Sequence, residues 1–108
     1  MQINYESFGV WEQEKAVYLQ STALELGMDL DGHGDIGVNR SSGYTYLWME
    51  DYSFVLYMPI YCELQSSDVW VMYMDSETGE EFEDTLDSIG DTVHALAAWV
   101  DKIIEEVA

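Results

Sequence analysis

Basic residues are the scarcest class in this sequence. Its 108 residues include three Lys or Arg against twenty-two Asp or Glu, a formal net charge of −19 at pH 7. The surface of an ordinary domain carries a net charge of about 2–8 in magnitude. Nucleic acids and anionic membranes are polyanions, so this composition excludes both as direct partners. A basic protein surface is the expected partner.

Cysteine and long hydrophobic runs are also nearly absent. Cys62 is the only cysteine, which excludes an intrachain disulfide and favours a reducing compartment. The first nine residues lack the basic and apolar regions of a signal peptide. No apolar run approaches the ~18 residues that a membrane span needs. The sequence therefore predicts a soluble, cytoplasmic protein.

Disorder is the first alternative for so acidic a chain, but disordered chains have low hydrophobicity and few aromatic residues. This sequence is 48% hydrophobic and 14% aromatic, with four Trp and eight Tyr, and it has a single proline. We therefore expect residues 1–108 to form one folded domain.

A first helix is predicted over residues 11–28. Its apolar residues fall on two sides, so the pattern predicts a helix that is covered on more than one side. Gly27 is the expected stop. One side carries Val10, Val17, Leu24 and Met28, and the other carries Leu19, Ala23 and Leu26.

Three segments rich in aromatic and β-branched residues follow, as strands prefer. The segment from Asp75 to Gly79 between the last strand and an acidic edge strand is typical of a hairpin turn. The strands are predicted at Tyr44–Met49, Ser53–Tyr61 and Val69–Asp75, with short strands possible at Ile36–Val38 and Glu80–Asp84.

The last element is a helix over residues 88–107, with apolar residues at helical spacing and a capping-box pattern at Ser88 and Asp91. The sequence thus predicts an α+β fold, an antiparallel sheet of three to four strands with an N-terminal and a C-terminal helix. The second and third strands are apolar on both faces. A face left uncovered would be an interface, and we expect a homodimer or a tightly bound partner.

Carboxylates cluster in the hairpin and along the last helix. Helical carboxylates four residues apart lie about 6 Å apart, an interval similar to that of phosphates. This array is the candidate partner-binding surface, able to occupy a cationic cleft, although such a charge run can also be only a solvated face. Its predicted residues are Glu77, Glu80, Glu81, Glu83, Asp84, Asp87, Asp91, Asp101 and Glu105.

In size, excess of acid and its acidic helix and hairpin, the chain resembles the small acidic anti-defence proteins of phages and mobile elements. These include DNA-mimic anti-CRISPR and anti-restriction proteins and inhibitors of uracil-DNA glycosylase. The resemblance is one of composition over the whole chain. It implies stoichiometric inhibition of a DNA- or RNA-handling enzyme through its basic cleft. The sequence itself has no nucleophile elbow, phosphate loop or zinc spacing, so neither enzymatic activity nor a cofactor is predicted.

The segment from Leu26 to Leu30, followed by Asp31 and Gly32, is similar to the helix-to-strand passage of the small acidic dimeric chaperones of type III secretion. That resemblance implies an apolar groove that holds an extended segment of a secreted protein. The groove residues would be Tyr44, Tyr46 and Trp48, or Trp70, Met72 and Met74.

A calcium-binding loop and a nucleophilic cysteine are only weakly indicated by the sequence. The spacing of Asp29, Asp31, His33 and Asp35 overlaps a calcium-loop pattern, but Arg40 stands where a bidentate Glu belongs. The pattern therefore favours a plain acidic turn over a metal site. Cys62 ends an apolar strand and is expected to be a buried structural thiol rather than a nucleophile. No metal and no catalytic residue are predicted.

Overall fold

The computed structural model describes residues 7–28, 30, 34–50, 52–64, 69–86 and 93–107. It confirms the α+β class, with a helix at each end of the described chain and an antiparallel sheet between them. Its elements are α1 (Val10–Glu25), β1 (Gly34–Asn39), β2 (Tyr44–Met49), β3 (Phe54–Pro59), β4 (Val69–Asp75), β5 (Glu81–Leu86) and α2 (His94–Val107).

The sheet has five strands in the order β1-β2-β3-β4-β5, so each strand pairs with its neighbours in sequence. The prediction of three to four strands was too low, because both possible short strands are formed. β1 and β5 are the two edges. Two glycines in β1 and three carboxylates in β5 weaken their strand patterns, but an edge strand needs only one partner and tolerates charge.

The helices cover one face of this sheet. α1 contacts β1, β2 and α2, and α2 also contacts β5. In β2 every second residue from Thr45 to Met49 is buried, and those between them are half-buried or exposed. The core between helices and sheet includes Leu19, Ala23, Ile36, Leu47, Phe54, Leu56, Met58, Val69, Val71, Tyr73, Leu96, Val100 and Ile103.

The prediction that α1 is covered on more than one side is wrong. On one side Leu19 and Ala23 are fully buried and Leu26 is half-buried. On the other side Val10, Val17 and Leu24 are 84%, 44% and 67% exposed, and Met28, beyond the end of α1, is buried. A helix at the surface of a two-layer fold has only one neighbouring layer, so its second apolar side stays in solvent. That side remains open in the isolated chain.

The helix ends are partly as expected. Gly27 has a φ of +74° just after α1, which confirms it as the stop because a left-handed residue ends a helix at little cost only when it is glycine. α2 begins at His94, within the predicted range. The predicted capping pair Ser88 and Asp91 lies outside the described residues. Neither described helix has the length and hydrophobicity needed to cross a membrane.

An ion pair ties the start of α1 to the β1–β2 turn. Arg40 donates from Nε to Glu12 Oε2 at 2.7 Å and from Nη2 to Glu12 Oε1 at 2.9 Å. Glu12 Oε1 also accepts the Gly9 N–H at 2.7 Å, which caps the helix. The bonds from Arg40 and Gly9 lower the pKa of Glu12 to about 2. A bidentate pair of this kind fixes the turn against the helix.

Replacing Glu12 with Gln should therefore lower the melting temperature in a pH-dependent way. The folded-state pKa of Glu12 lies below its unfolded value, so its stabilisation is fully present above the unfolded pKa of about 4.3 and is lost as the pH falls towards about 2. Thermal melts at constant ionic strength should show a gap between wild type and Glu12→Gln at pH 7 that closes near pH 2. Glu105→Gln, an equal change of charge at an exposed position, is the control. A gap that stays constant with pH would contradict this role for the ion pair.

Candidate protein-binding surfaces

The β4–β5 hairpin presents its carboxylates on a well-fixed turn. Asp75 Oδ1 accepts the N–H groups of Glu77 and Thr78 at 2.9 and 3.2 Å, and the Gly79 N–H donates to the Asp75 carbonyl at 2.7 Å. Gly79 has a φ of +77°, which confirms the predicted turn with glycine at the left-handed position. The turn leaves Glu77 and Glu80 exposed at its tip.

The tip of this hairpin lies against the β2–β3 turn. The Ser53 hydroxyl donates to Glu77 Oε1 at 3.1 Å, and the Ser76 N–H donates to the Ser53 carbonyl at 2.8 Å. The two turns therefore support each other. This contact orders Glu77 more than a free loop tip would.

β5 carries the next three predicted carboxylates on both of its sides. Glu81 pairs with Met74 and Glu83 with Met72, which puts both on the sheet face away from the helices. Asp84 alternates to the helix side. All three are exposed because β5 is an edge strand. We call Glu77, Glu80, Glu81, Glu83 and Asp84 the acidic hairpin.

The remaining predicted residues are less close to one another. Asp101 and Glu105 are exposed on α2. Asp87 and Asp91 lie outside the described residues. Between β5 and α2 runs a groove of about 300 Å³, and its lining includes Asp84 and Glu106. Glu106 was not predicted, although it follows Lys102 by one helical turn and so shares its side of the helix.

Two of the three cations lie away from the acidic hairpin. Arg40 is paired with Glu12. Lys15 is fully buried, with Nζ 2.6 Å from Glu14 Oε1 and 4.7 Å from the centre of the Trp11 ring. Lys102 lies in the groove between α2 and β5 and is the only cation that the described chain places beside the acidic hairpin. The negative charge of the hairpin is therefore little compensated.

The sheet face opposite the helices is rich in aromatic and methionine side chains and is not covered by any described element. Cross-strand pairs set Tyr46 beside Tyr57, and Tyr57 beside Met72. The Tyr44 ring lies 5.3 Å from that of Trp70 and 6.3 Å from that of Tyr57, measured between centroids. We call this surface the open face. Its aromatic and methionine residues are Tyr44, Tyr46, Trp48, Tyr57, Trp70, Met72 and Met74.

At the β1 end of the open face lies a depression of about 340 Å³, lined by residues of β1, β2 and β3. Asp35 and Asn39 supply polar groups at its border, and Tyr46 and Trp48 are among its aromatic walls. Burial raises the pKa of the Tyr46 hydroxyl, and the nearby charge of Asp35 raises it further. The sequence pattern favoured a plain acidic turn around Asp35, whereas Asp35 is the second residue of the edge strand β1. Asp29, Asp31 and His33 lie outside the described residues.

Cys62 makes a local contact, whereas His94 makes a contact between the two helices. Cys62 Sγ donates to the Pro59 carbonyl at 3.4 Å, and burial raises the pKa of this half-buried thiol. A raised pKa lowers the thiolate fraction that a nucleophile needs. His94 Nδ1 contacts Glu25 Oε1 and so joins α2 to α1. Among the described residues, no three His, Cys, Asp or Glu side chains are grouped as metal ligands would be.

Comparisons with protein-family models, with curated proteins and with solved structures found no match for this chain.

Proposed function

We propose that this protein binds the basic, nucleic-acid-binding cleft of a DNA- or RNA-handling enzyme and inhibits it stoichiometrically, as a mimic of nucleic-acid charge of the anti-CRISPR or anti-restriction type. One observation carries the proposal. Among the described residues, Lys102 is the only Lys or Arg near the exposed carboxylates of the acidic hairpin, while Lys15 and Arg40 are engaged with Glu14 and Glu12 at α1. A cationic cleft would supply the missing counter-charge.

The dimensions are consistent with this role. The protein measures 35 × 32 × 26 Å along its principal axes. Duplex DNA carries one charge per ~1.7 Å, so 35 Å of duplex holds roughly 20 phosphates. The net charge of −19 is of the same size. Alternate residues of a strand repeat every ~6.8 Å, so Glu81 and Glu83 would be about as far apart as neighbouring phosphates of one DNA strand.

The target can be sought by immobilising the protein, passing bacterial lysate over it at low salt and eluting with a salt gradient. A purified candidate enzyme is then titrated with the protein while its binding to labelled DNA is followed. We expect the enzyme to release its DNA completely at one equivalent of the protein. The affinity of the protein for the enzyme should fall steeply as the salt concentration rises. Target binding that does not compete with DNA would contradict it.

The triple variant Glu80→Gln, Glu81→Gln and Glu83→Gln should bind the target about tenfold more weakly, since three exposed ion pairs of about 0.5 kcal/mol each are removed. Titration calorimetry at two salt concentrations measures both the loss and the reduced salt dependence.

A charge-matched control tests whether the position of these carboxylates matters. The variant Gln13→Lys, Val17→Lys and Glu63→Gln changes the net charge equally, at exposed sites outside the hairpin. It should bind within about threefold of wild type, because distant exposed charges are largely screened. Equal losses in both triple variants would mean that only net charge matters and that the hairpin is not the contact surface.

A second candidate function rests on the open face. An uncovered aromatic and methionine surface suits an extended partner segment, as in a small dimeric secretion chaperone, or a second copy of the chain. Such binding would tolerate high salt and would be lost on replacing Trp48 or Trp70 with Ala. The homodimer remains a prediction, which sedimentation equilibrium of wild type and Trp70→Ala would test.

A further inference from the structure

One wall of the depression at the β1 end of the open face is the aromatic ring of Tyr46. Tyr46 lies opposite Gly37 in the register of β1 and β2, and its ring crosses over that glycine. A Cβ atom at Gly37 would lie 2.7 Å from Tyr46 Cζ, closer than side chains tolerate. Glycine at this position therefore gives the Tyr46 ring its place across the edge strand, between Asp35 and Asn39.

The other walls continue this aromatic surface along two strands. Trp48 is 37% exposed, and Tyr57 is half-buried beside Tyr46. Aromatic ring faces attract cations through their negative π surfaces. Asp35 is exposed in register with Trp48, so a carboxylate borders the same depression.

This combination favours one kind of ligand group. A guanidinium is planar, stacks on aromatic rings, is weakly hydrated and binds a carboxylate through two parallel N–H groups. A lysine ammonium is more strongly hydrated and has no flat face. None of Lys15, Arg40 and Lys102 lines this depression, so the described chain does not fill it with a cation of its own.

We propose that the depression formed by Asp35, Asn39, Tyr46, Trp48, Val55 and Tyr57 binds an arginine side chain of the basic partner. This inference rests on the proposed function and adds a specific contact to it. The acidic hairpin would supply long-range attraction, and the depression would select arginine over lysine at one point of the interface. Arginine is common in surfaces that bind phosphates, so the partner chemistry agrees with the site.

The test uses the intact protein and the peptide acetyl-Gly-Arg-Gly-amide, followed by ¹H–¹⁵N NMR. The indole N–H of Trp48 and the amide of Tyr46 should shift with a dissociation constant of about 10–100 mM, the range expected for one stacked and ion-paired side chain. The lysine peptide should bind at least threefold more weakly. The citrulline peptide, which has the same shape without the charge, should give no saturable shift.

Two variants with the same change of charge separate the site from the general negative potential. Asp35→Asn should weaken arginine-peptide binding about fivefold, the upper limit for one exposed ion pair. Glu105→Gln, at an exposed position of α2 outside both the depression and the acidic hairpin, should change it less than twofold. Shifts spread over all acidic surfaces, or equal effects of the two variants, would overturn the proposal. So would a dimer in sedimentation equilibrium that buries Trp48 and blocks the peptide.

The arginine site and the proposed function can each be contradicted without the other. If the hairpin variant keeps full target binding while the arginine peptide still shifts Trp48, the hairpin role is wrong and the arginine site stands. If the hairpin variant loses the target but the peptide produces no localised shift, the arginine site is wrong and the charge mimic stands.

Discussion

Replacing Phe54 with Ala should lower the free energy of unfolding by about 3–5 kcal/mol, the usual cost of emptying a buried aromatic site. Phe54 is completely buried at the start of β3. Its ring stacks on Tyr73 with centroids 4.8 Å apart and an angle of 17° between the planes. Tyr73 in turn meets Phe82 of β5 edge-on at 5.9 Å. The substitution would remove the first ring of a three-strand aromatic row.

A loss of this size is a large share of the 5–15 kcal/mol that stabilises a typical domain. We therefore expect Phe54→Ala to be partly unfolded at low salt and its β5 edge to be less protected in hydrogen exchange. Unfolding should be followed in urea, because guanidinium is itself a salt and would screen the negative charge during the titration. Fits at one fixed ionic strength give the difference in free energy.

Val10→Ala is the matched control for this experiment. Val10 is 84% exposed, and surface substitutions of this kind usually change stability by less than about 0.5 kcal/mol. A loss for Phe54→Ala no larger than that of Val10→Ala would mean that the core is not packed as described.

The predictable and unpredictable parts of the fold differ in the range of the interactions that decide them. The turn from Asp75 to Gly79 was predictable because two local signals occur there: a first residue whose side-chain oxygen can accept backbone N–H groups, and a glycine four positions later. The same arrangement occurs from Asn39 to Gly43, where Asn39 Oδ1 accepts the Ser42 N–H and Gly43 has a φ of +82°. Applied there too, the rule would have predicted the β1–β2 hairpin and a fuller sheet.

Which side chains of α1 are buried is decided by packing against the sheet and cannot be predicted from the local sequence pattern. The two apolar sides of α1 look alike in sequence, but only the side with Ala16, Leu19 and Ala23 is buried against the sheet. The burial of Lys15 could not be predicted from the sequence either, because it depends on where Trp11 and Glu14 lie around its side chain.

Of the two candidate surfaces, one could be predicted from local sequence and the other depends on strand pairing. The exposure of the acidic hairpin followed from its turn and charges, whereas the site around Asp35 did not. Asp35 and Trp48 meet through strand pairing, and Tyr46 crosses over Gly37 because of that register. In the sequence alone, Asp35 belonged to an acidic, glycine-rich loop.

Raising NaCl from about 0.01 M to about 1 M should raise the melting temperature by about 10 °C or more. The Debye length falls from about 30 Å to about 3 Å over this range. In low salt it is comparable with the longest dimension of the protein, 35 Å, so nearly all carboxylates repel one another. The unfolded chain relieves this repulsion by expanding, because its radius of gyration is about 30 Å against 12.8 Å for the folded chain. Screening therefore stabilises the folded state, and about 2 kcal/mol corresponds to roughly 8–16 °C.

Salt also stabilises proteins by exclusion from their surfaces, an effect that grows steadily with concentration. Charge screening instead acts mostly at the dilute end, so most of the rise should occur below about 0.3 M. A melting temperature that is flat in this range and rises only above it would contradict the self-repulsion argument.

The triple variant of the acidic hairpin tests whether the same carboxylates lower the stability of the fold and bind the partner. Glu80→Gln, Glu81→Gln and Glu83→Gln should raise the low-salt melting temperature and flatten its salt dependence, because three repelling charges are removed from one edge strand. The same variant is expected to lose the target. A change that improves the fold and removes binding would indicate that these carboxylates lower stability and serve recognition. If the variant instead melts at a lower temperature in low salt, the carboxylates support the hairpin itself, and its loss of binding would reflect a disturbed structure rather than a missing contact.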